Sequence, residues 1–328
     1  MKKLTKTSWI ELGISVGIFV ALAIISAFLD LQINKALYSP NNFYGQYFAN
    51  FGELPTYLVA PVAGTILFYQ NFGKNNKINI FLKVLFAIVI FAGYFVLITW
   101  LWGRFADDSI LYPYLYQAAF SLLLTSLTIF SCMFVPKEKM RKLLWFAIFL
   151  IIVTALSNIF VQIMKMLWER QRFRTMTPGN ELAPLAVSVI CPDYAGFTPW
   201  YQINIFSPPE IRTEIYKEIF LATDEDAFKS FPSGHTVAAA ASFGLIIVPD
   251  IFEKLKKQRW IFWCVPILYT TLVGISRIVV AAHYLSDILF GGFIGYGTAC
   301  LTRWILISKV PDLGGQLKNK KNEVAKTE

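Results

Sequence analysis

The chain has 328 residues, of which 56% are hydrophobic, 16% aromatic and 16% charged, with a mean hydropathy of +0.53. A soluble domain of this length would leave much of that apolar surface in water, so composition excludes an ordinary soluble fold and indicates a bilayer as solvent. The formal net charge of +9 does not indicate nucleic acid, because Lys and Arg stand in short clusters between apolar runs, as in the loops of membrane proteins.

In chain order, the apolar runs predict eight membrane-spanning helices, at about Trp9–Leu31, Leu54–Tyr69, Ile80–Trp102, Tyr114–Val135, Leu143–Met164, Gly234–Ile251, Trp260–Val279 and Leu285–Ile307. Lys2, Lys3 and Lys6 precede the first run, as in a secretory leader. That run is too long for a leader's apolar region and lacks a clear small-x-small site, so an uncleaved anchor is expected. The second run is short and carries Pro55 and Pro61, which a membrane helix tolerates where neighbours satisfy the freed carbonyls.

Basic clusters recur in alternate loops: Lys74 and Lys77; Lys137, Lys139, Arg141 and Lys142; Lys254, Lys256, Lys257 and Arg259; and Lys309, Lys318, Lys320, Lys321 and Lys326 after the last span. The intervening short loops hold Lys35 and Arg104. With eight spans, every short-loop cluster falls on the side of the N-terminus, which the positive-inside rule assigns to the cytoplasm. The expectation is a multi-pass protein of the cell (cytoplasmic) membrane with both termini cytoplasmic and a disordered basic tail over 309–328. The long hydrophilic segment from Lys165 to Pro232 is then extracytoplasmic. It contains Pro178, Gly179, Pro184, Pro192, Pro199, Pro208 and Pro209, which predict irregular or short-helical structure, and a loop of this size is usually functional. Cys132, Cys264 and Cys300 lie in apolar runs and Cys191 stands alone in the outer loop, so neither a disulfide framework nor a zinc site is expected.

Three clusters converge on the outer face under this topology. Lys165 and Arg172 close the fifth span, with Arg170 and Arg174 beside them; Ser233, Gly234 and His235 open the sixth; Arg277, His283 and Asp287 bracket the turn between the seventh and eighth. His235 and His283 are the two histidines of the chain, and imidazole both donates protons and attacks electrophiles near neutrality. Lys and Arg neutralise phosphate oxygens. Pro232-Ser233-Gly234 before a helix offers free backbone N–H groups and the positive helix end to an anion, with the Ser233 hydroxyl as a further donor. His283 and Asp287 are four residues apart, which on a helix places them on one face. The carboxylate can then hold the imidazole in the tautomer whose other nitrogen attacks phosphorus, while His235 protonates the leaving oxygen.

Pro232-Ser233-Gly234-His235 and Ser276-Arg277-x5-His283-x3-Asp287 resemble the second and third signatures of the type-2 phosphatidic acid phosphatase family, and Lys165-x6-Arg172 resembles the first. Phe173 stands where the family usually has proline. The resemblance covers roughly residues 115–308. It implies an all-α polytopic bundle, with an N-terminal transmembrane addition (1–110), a phosphatase core (111–308) that includes the outer loop 165–232, and the tail. It further implies that His283 is the nucleophile that becomes phosphohistidine and Asp287 its orienting partner. The same resemblance implies that His235 is the acid for the leaving alcohol and then the base for water, and that Lys165, Arg172, Ser233, Gly234 and Arg277 hold the phosphate. No metal or other cofactor is expected.

The function so implied is metal-independent hydrolysis of a lipid phosphate or pyrophosphate, of the phosphatidic acid, phosphatidylglycerophosphate or polyprenyl pyrophosphate class, at the outer membrane face. The alternatives are transfer of a phosphoryl or phospho-headgroup to an alcohol, a lipid-binding or transport protein without hydrolysis, and the haloperoxidases that share the signatures. Among the remaining residues, Arg170 and Arg174 read as interfacial or secondary contacts. Trp9, Trp100, Trp102, Trp168, Trp260, Trp263 and Trp304 read as interfacial belt residues, and Asp224-Glu225-Asp226 as solvated loop carboxylates. Glu53 has no role assigned beyond lining the mouth of the site.

Overall fold

The computed structural model describes residues 6–105, 112–176, 196–310 and 313. Lys2, Lys3, Cys191, the part of the outer loop that carries Pro178, Gly179, Pro184 and Pro192, and the tail beyond residue 313 lie outside the described residues. Helices and turns make up the described chain, with no strand among those residues. Eight helical segments are long and apolar enough to cross a membrane, and the protein is an all-α polytopic bundle.

The first span is one helix, α1 (Lys6–Leu37). The second is composite: α2 (Phe43–Phe51), α3 (Leu54–Tyr57) and α4 (Val59–Gln70). It begins earlier than the apolar run predicts and is broken where the prolines stand. Pro55 and Pro61 each occupy the first turn of a new helix, where a missing N–H costs no intrahelical bond. α5 (Lys77–Phe105) and α6 (Pro113–Cys132) complete the outer spans of the N-terminal half. After the short basic α7 (Lys137–Lys142), the fifth span is α8 (Leu144–Trp168), followed by the short helices α9 (Phe173–Met176) and α10 (Glu214–Thr223). The sixth span is α11 (Gly234–Ala240), a 3-10 segment over Ala241–Ile247 and α12 (Val248–Ile251); α13 (Arg259–Val279) and α14 (Leu285–Lys309) follow.

α8, α11, the 3-10 segment and α14 enclose a core of Phe149, Val153, Ala240, Phe243, Ile246, Ile247, Ala299 and Leu306. Within a bilayer, close packing of small residues replaces the hydrophobic drive between helices, and α14 presents Gly291 and Gly295 one turn apart. A Cβ at Gly291 would lie 2.8 Å from the Ser233 carbonyl oxygen, and one at Gly295 would overlap the Ala240 methyl. The two glycines therefore let the backbones of α11 and α14 approach until the Ser233 N–H donates to the Asp287 carbonyl at 2.9 Å. Two of the three signature segments are fastened together by that contact.

Large apolar side chains point outward along α1, α5 and α6, among them Ile14, Ile18, Phe28, Phe81, Ile88, Leu122 and Phe130. A soluble monomer does not expose a belt of this extent. At the basic-loop end, buried Asp250 accepts hydrogen bonds from Arg259 at 2.5 Å and from Arg303 Nε at 2.7 Å, tying α12 to α13 and α14. The signature residues gather at the opposite end of those helices.

Candidate active site

The fifth span ends sooner than its signature suggests. Glu169 takes a left-handed conformation with φ 39° and closes α8 through its N–H to the Lys165 carbonyl. Lys165 thus sits on the last helical turn, while Arg172 lies in the connecting segment beyond it. Phe173, in the place of the family's proline, takes the first position of α9, which a proline would also tolerate. Its ring is 1% exposed and packs with Met176, Ala281 and Tyr284, so it anchors the first signature against the third.

His283 does not share a helical face with Asp287. α13 ends at Val279, Ala281 turns the chain with φ 58°, and His283 precedes the extended N-cap Tyr284 of α14. Asp287 occupies the third position of α14, and its Oδ2 folds back to accept the Tyr284 N–H at 2.8 Å. Oδ2 also accepts from the Ser230 hydroxyl at 2.5 Å and lies 3.5 Å from His283 Nδ1. The nearer partner of His283 Nδ1 is the Ser230 carbonyl oxygen, at 2.6 Å. A carbonyl only accepts, so Nδ1 carries the proton and the Nε2 lone pair is available. The ring is 1% exposed. Burial pushes its pKa down to about 4, and Arg172 and Lys165 act in the same direction against the pull of Asp287; the imidazole is neutral at pH 7.

Asp287 is itself held by Arg170, which is fully buried and not interfacial. Arg170 Nη1 donates to Asp287 Oδ1 at 2.7 Å and to the Ser286 hydroxyl at 2.6 Å, Nη2 to Asp30 Oδ2 at 2.9 Å, and Nε to the Thr198 carbonyl at 2.8 Å. The Tyr284 ring lies 4.1 Å from the guanidinium carbon. Four of the five N–H groups of Arg170 are thereby engaged, two of them by carboxylates, which offsets the cost of burying the guanidinium. Asp30, from α1, also accepts the Ser286 N–H at 2.9 Å and bonds the Ser286 hydroxyl, while Asn34 of α1 donates to the His283 carbonyl at 3.1 Å. Asp30 was legible in principle: a carboxylate inside an apolar run needs a partner. The Ser230 carbonyl carries no signal in sequence.

Lys165, Arg172, Ser233, Gly234 and Arg277 are brought to the same end of the bundle. The Lys165 ammonium lies over Gly234, where a Cβ would be 3.0 Å from Nζ. Ser233 caps α11, its Oγ accepting from the Thr236 N–H at 3.3 Å and the Thr236 hydroxyl at 2.9 Å, which leaves its own hydrogen to donate. Arg277 donates from Nη2 to the Gly45 carbonyl at 2.5 Å and from Nε to Ser276 Oγ at 3.2 Å, and retains further N–H groups. Arg172 is braced by Asp226 at 3.4 Å, while its buried Nε has no hydrogen-bond partner among the described residues. Burial alone would raise the Asp226 pKa, but Arg172, Lys229 and Lys165 hold it below the ordinary carboxylate value. Arg174 is gripped by Asp224 at 2.6 Å. Asp226 is therefore a counter-ion of the first signature and Asp224 of the neighbouring Arg174, and neither is simply solvated.

His235, on the first turn of α11, is the second imidazole. Its Nδ1 lies 3.3 Å from Oε1 of Glu53, at the break between α2 and α3. Arg277, Arg172, Arg104 and His283 are close enough for their charges to bear on the ring. A neutral buried imidazole and a second one beside a carboxylate thus occupy a pocket of cations, an arrangement suited to moving a phosphoryl group and a proton.

A sequence profile described as the PAP2 superfamily matches residues 146–310, half of the chain. No solved structure matches the chain. The chain belongs to the PAP2 superfamily, whose members are generally phosphatases acting on phosphate esters. Asp30, Asn34, Gly45 and Glu53 reach the site from outside the matched residues.

Proposed function

We propose that this protein hydrolyses the phosphate monoester or pyrophosphate of a membrane lipid through a phosphohistidine, with the site at the extracytoplasmic face. One observation carries the reading: His283 is buried, holds its proton on Nδ1 against the Ser230 carbonyl at 2.6 Å, and so presents an unprotonated Nε2 within the cationic pocket. Nε2 attacks phosphorus, the bond from phosphorus to the leaving oxygen breaks, and His235 delivers a proton to that oxygen. Water then attacks the phosphohistidine, His235 takes its proton, and the N–P bond breaks to free phosphate. Lys165, Arg172 and Arg277, with the Ser233 hydroxyl and the Gly234 N–H, neutralise the charge that builds on the equatorial oxygens.

An apolar cavity supports a lipid as substrate. It has a volume of about 430 Å³ and runs between α1, α13 and α14, lined by Phe19, Leu22, Ile275, Leu285, Leu289 and Phe293. Thr236 and Leu285 line it too, and they adjoin His235 and the His283–Tyr284 turn in sequence. The cavity therefore extends from the phosphate end toward the middle of the spans. The alternation of basic loops supports the outward orientation.

Phosphate release from purified protein is the test, across phosphatidic acid, phosphatidylglycerophosphate and a polyprenyl pyrophosphate, with His283→Ala as blank. Stoichiometric free phosphate from at least one lipid, inhibition by vanadate and an inactive blank are expected. Robust turnover by His283→Ala would overturn the nucleophile, and transfer to an alcohol without free phosphate would overturn hydrolysis.

A further inference from the structure

Cleaving an alkyl phosphate sets two imidazoles opposite tasks. The nucleophile must be neutral at its attacking nitrogen, whereas the group that protonates the leaving alkoxide must carry a proton to give. The site assigns the two rings different partners. His283 Nδ1 faces a neutral acceptor, the Ser230 carbonyl. His235 Nδ1 faces a carboxylate, Oε1 of Glu53, at 3.3 Å, with the two side chains 23% and 18% exposed. A carbonyl fixes a tautomer and leaves the ring uncharged; a carboxylate fixes the same tautomer and also offsets the charge of an imidazolium.

The surroundings make that offset necessary. The charges bearing on His235 from other elements are Arg277 of α13, Arg172 and His283 of the connecting segments, and Arg104 of α5. Those bearing on Glu53 are Arg104, Arg277 and Lys165, and the Tyr57 side chain is hydrogen-bonded to it. Within this group Glu53 is the anion beside the ring. Its seat is built from several sides. The Tyr269 hydroxyl lies 3.1 Å from the Phe51 carbonyl oxygen and 3.2 Å from that of Gly52. The Thr56 hydroxyl donates to the Ala238 carbonyl at 3.0 Å, tying α3 to the helix that His235 opens.

We propose that Glu53, from the N-terminal spans outside the superfamily match, is the positioning residue of the general acid: it accepts the Nδ1–H of His235, turns Nε2 toward the leaving oxygen, and balances the imidazolium that protonates it. The proton passes from His235 Nε2 to the alkoxide as the P–O bond breaks, and returns to Nε2 from the attacking water in the second step. Glu53 exchanges no atom and remains a carboxylate throughout. This inference rests on the hydrolase reading above.

The test compares two phosphate esters that share one alkyl tail but differ in leaving oxygen, an alkyl phosphate and an alkyl-nitrophenyl phosphate, in the full-length protein. The nitrophenolate departs without a proton, so only the alkyl ester needs the acid. Wild type and His283→Ala are run first; phosphate release by wild type that is lost in His283→Ala establishes the reading on which Glu53 depends. Absence of release from wild type overturns both. Glu53→Gln is then expected to lower kcat/KM for the alkyl ester by about 10²-fold, the lower end of general-acid contributions, and for the aryl ester by less than about threefold. Glu53→Asp, which keeps the charge, is expected to recover part of the alkyl activity. In a His235→Gln background, Glu53→Gln should cause no further loss. Equal losses on both esters would assign Glu53 a structural role and overturn the proposal, as would no loss on either. If Glu53→Gln does not fold, the same split is read from Glu53→Asp, whose shorter reach must slow the alkyl ester alone.

Discussion

Gly234→Ala separates the geometry of the proposed phosphate pocket from the stability of the fold. The new methyl would lie 3.0 Å from Lys165 Nζ, where ordinary contact starts at 3.4 Å and extends to 4 Å. The ammonium is the end of a flexible side chain, so it yields by roughly 0.4–1 Å with little cost to packing. The cost falls on phosphate binding. At an effective dielectric near 20, an ammonium and a unit negative charge attract by about 4 kcal/mol at 4 Å and about 3.3 kcal/mol at 5 Å. The displacement therefore forfeits about 0.4–0.8 kcal/mol, a two- to fourfold fall in kcat/KM, whereas Lys165→Met removes the whole attraction and should cost about 10³-fold. Meanwhile Gly234 opens α11, and alanine there reduces unfolded-chain entropy, so stability should stay level or rise by about 0.4–1 kcal/mol. Phosphate-release kinetics and thermal unfolding of the two purified variants measure both effects. Gly234→Ala that is as inactive as Lys165→Met, or that melts below the wild type, would refute the placement of the ammonium over this glycine.

Two further outcomes follow from the site and the cavity. Because the chain has two histidines, a His235→Gln protein leaves a single imidazole, and its NMR titration should show His283 in the Nδ1–H tautomer with a midpoint at about 4. The folded value lies below the unfolded one of about 6.5, so the associated stability is fully present above pH 6.5 and is lost as pH falls through 4, in all about 3 kcal/mol. A midpoint near 6.5 would contradict the burial of that ring. Gly292 faces the apolar cavity, where an added Cβ would meet Thr236 and Thr270 at an ordinary 3.7 Å. In Gly292→Leu the further carbons would extend into the cavity and displace part of a lipid tail. At about 0.8 kcal/mol per methylene, displacing about three to four of them should lower kcat/KM for a long-chain phosphate roughly 60- to 200-fold and for a short-chain one less than about threefold. Equal effects on both chain lengths would remove the tail from this cavity.

Much of the bundle is legible in the sequence because a membrane span is a local property. Twenty or so apolar residues must satisfy their own backbone groups as a helix wherever they sit in the fold. The deviations occur where local signals compete. Pro55 and Pro61 divide the second span into helices that a hydropathy run merges, and Glu169 ends α8 before the first signature is complete. The spacing of His283 and Asp287 suggests a shared helical face, but Ala281 in a left-handed turn places His283 before the cap of α14.

The solvent, the helical class and the identity of the signature side chains can be read along the chain, since each depends on residue types at short range. Which partner each reactive group keeps depends instead on how distant segments pack. Ser230 contributes a backbone carbonyl that no residue type advertises, Arg170 looks like any interfacial arginine until Asp30 and Asp287 close on it, and Glu53 reaches His235 from 182 positions away. Proton position and charge are set by contacts of a few ångströms between distant segments. A linear pattern fixes which groups exist, and only the packed bundle fixes what each of them faces.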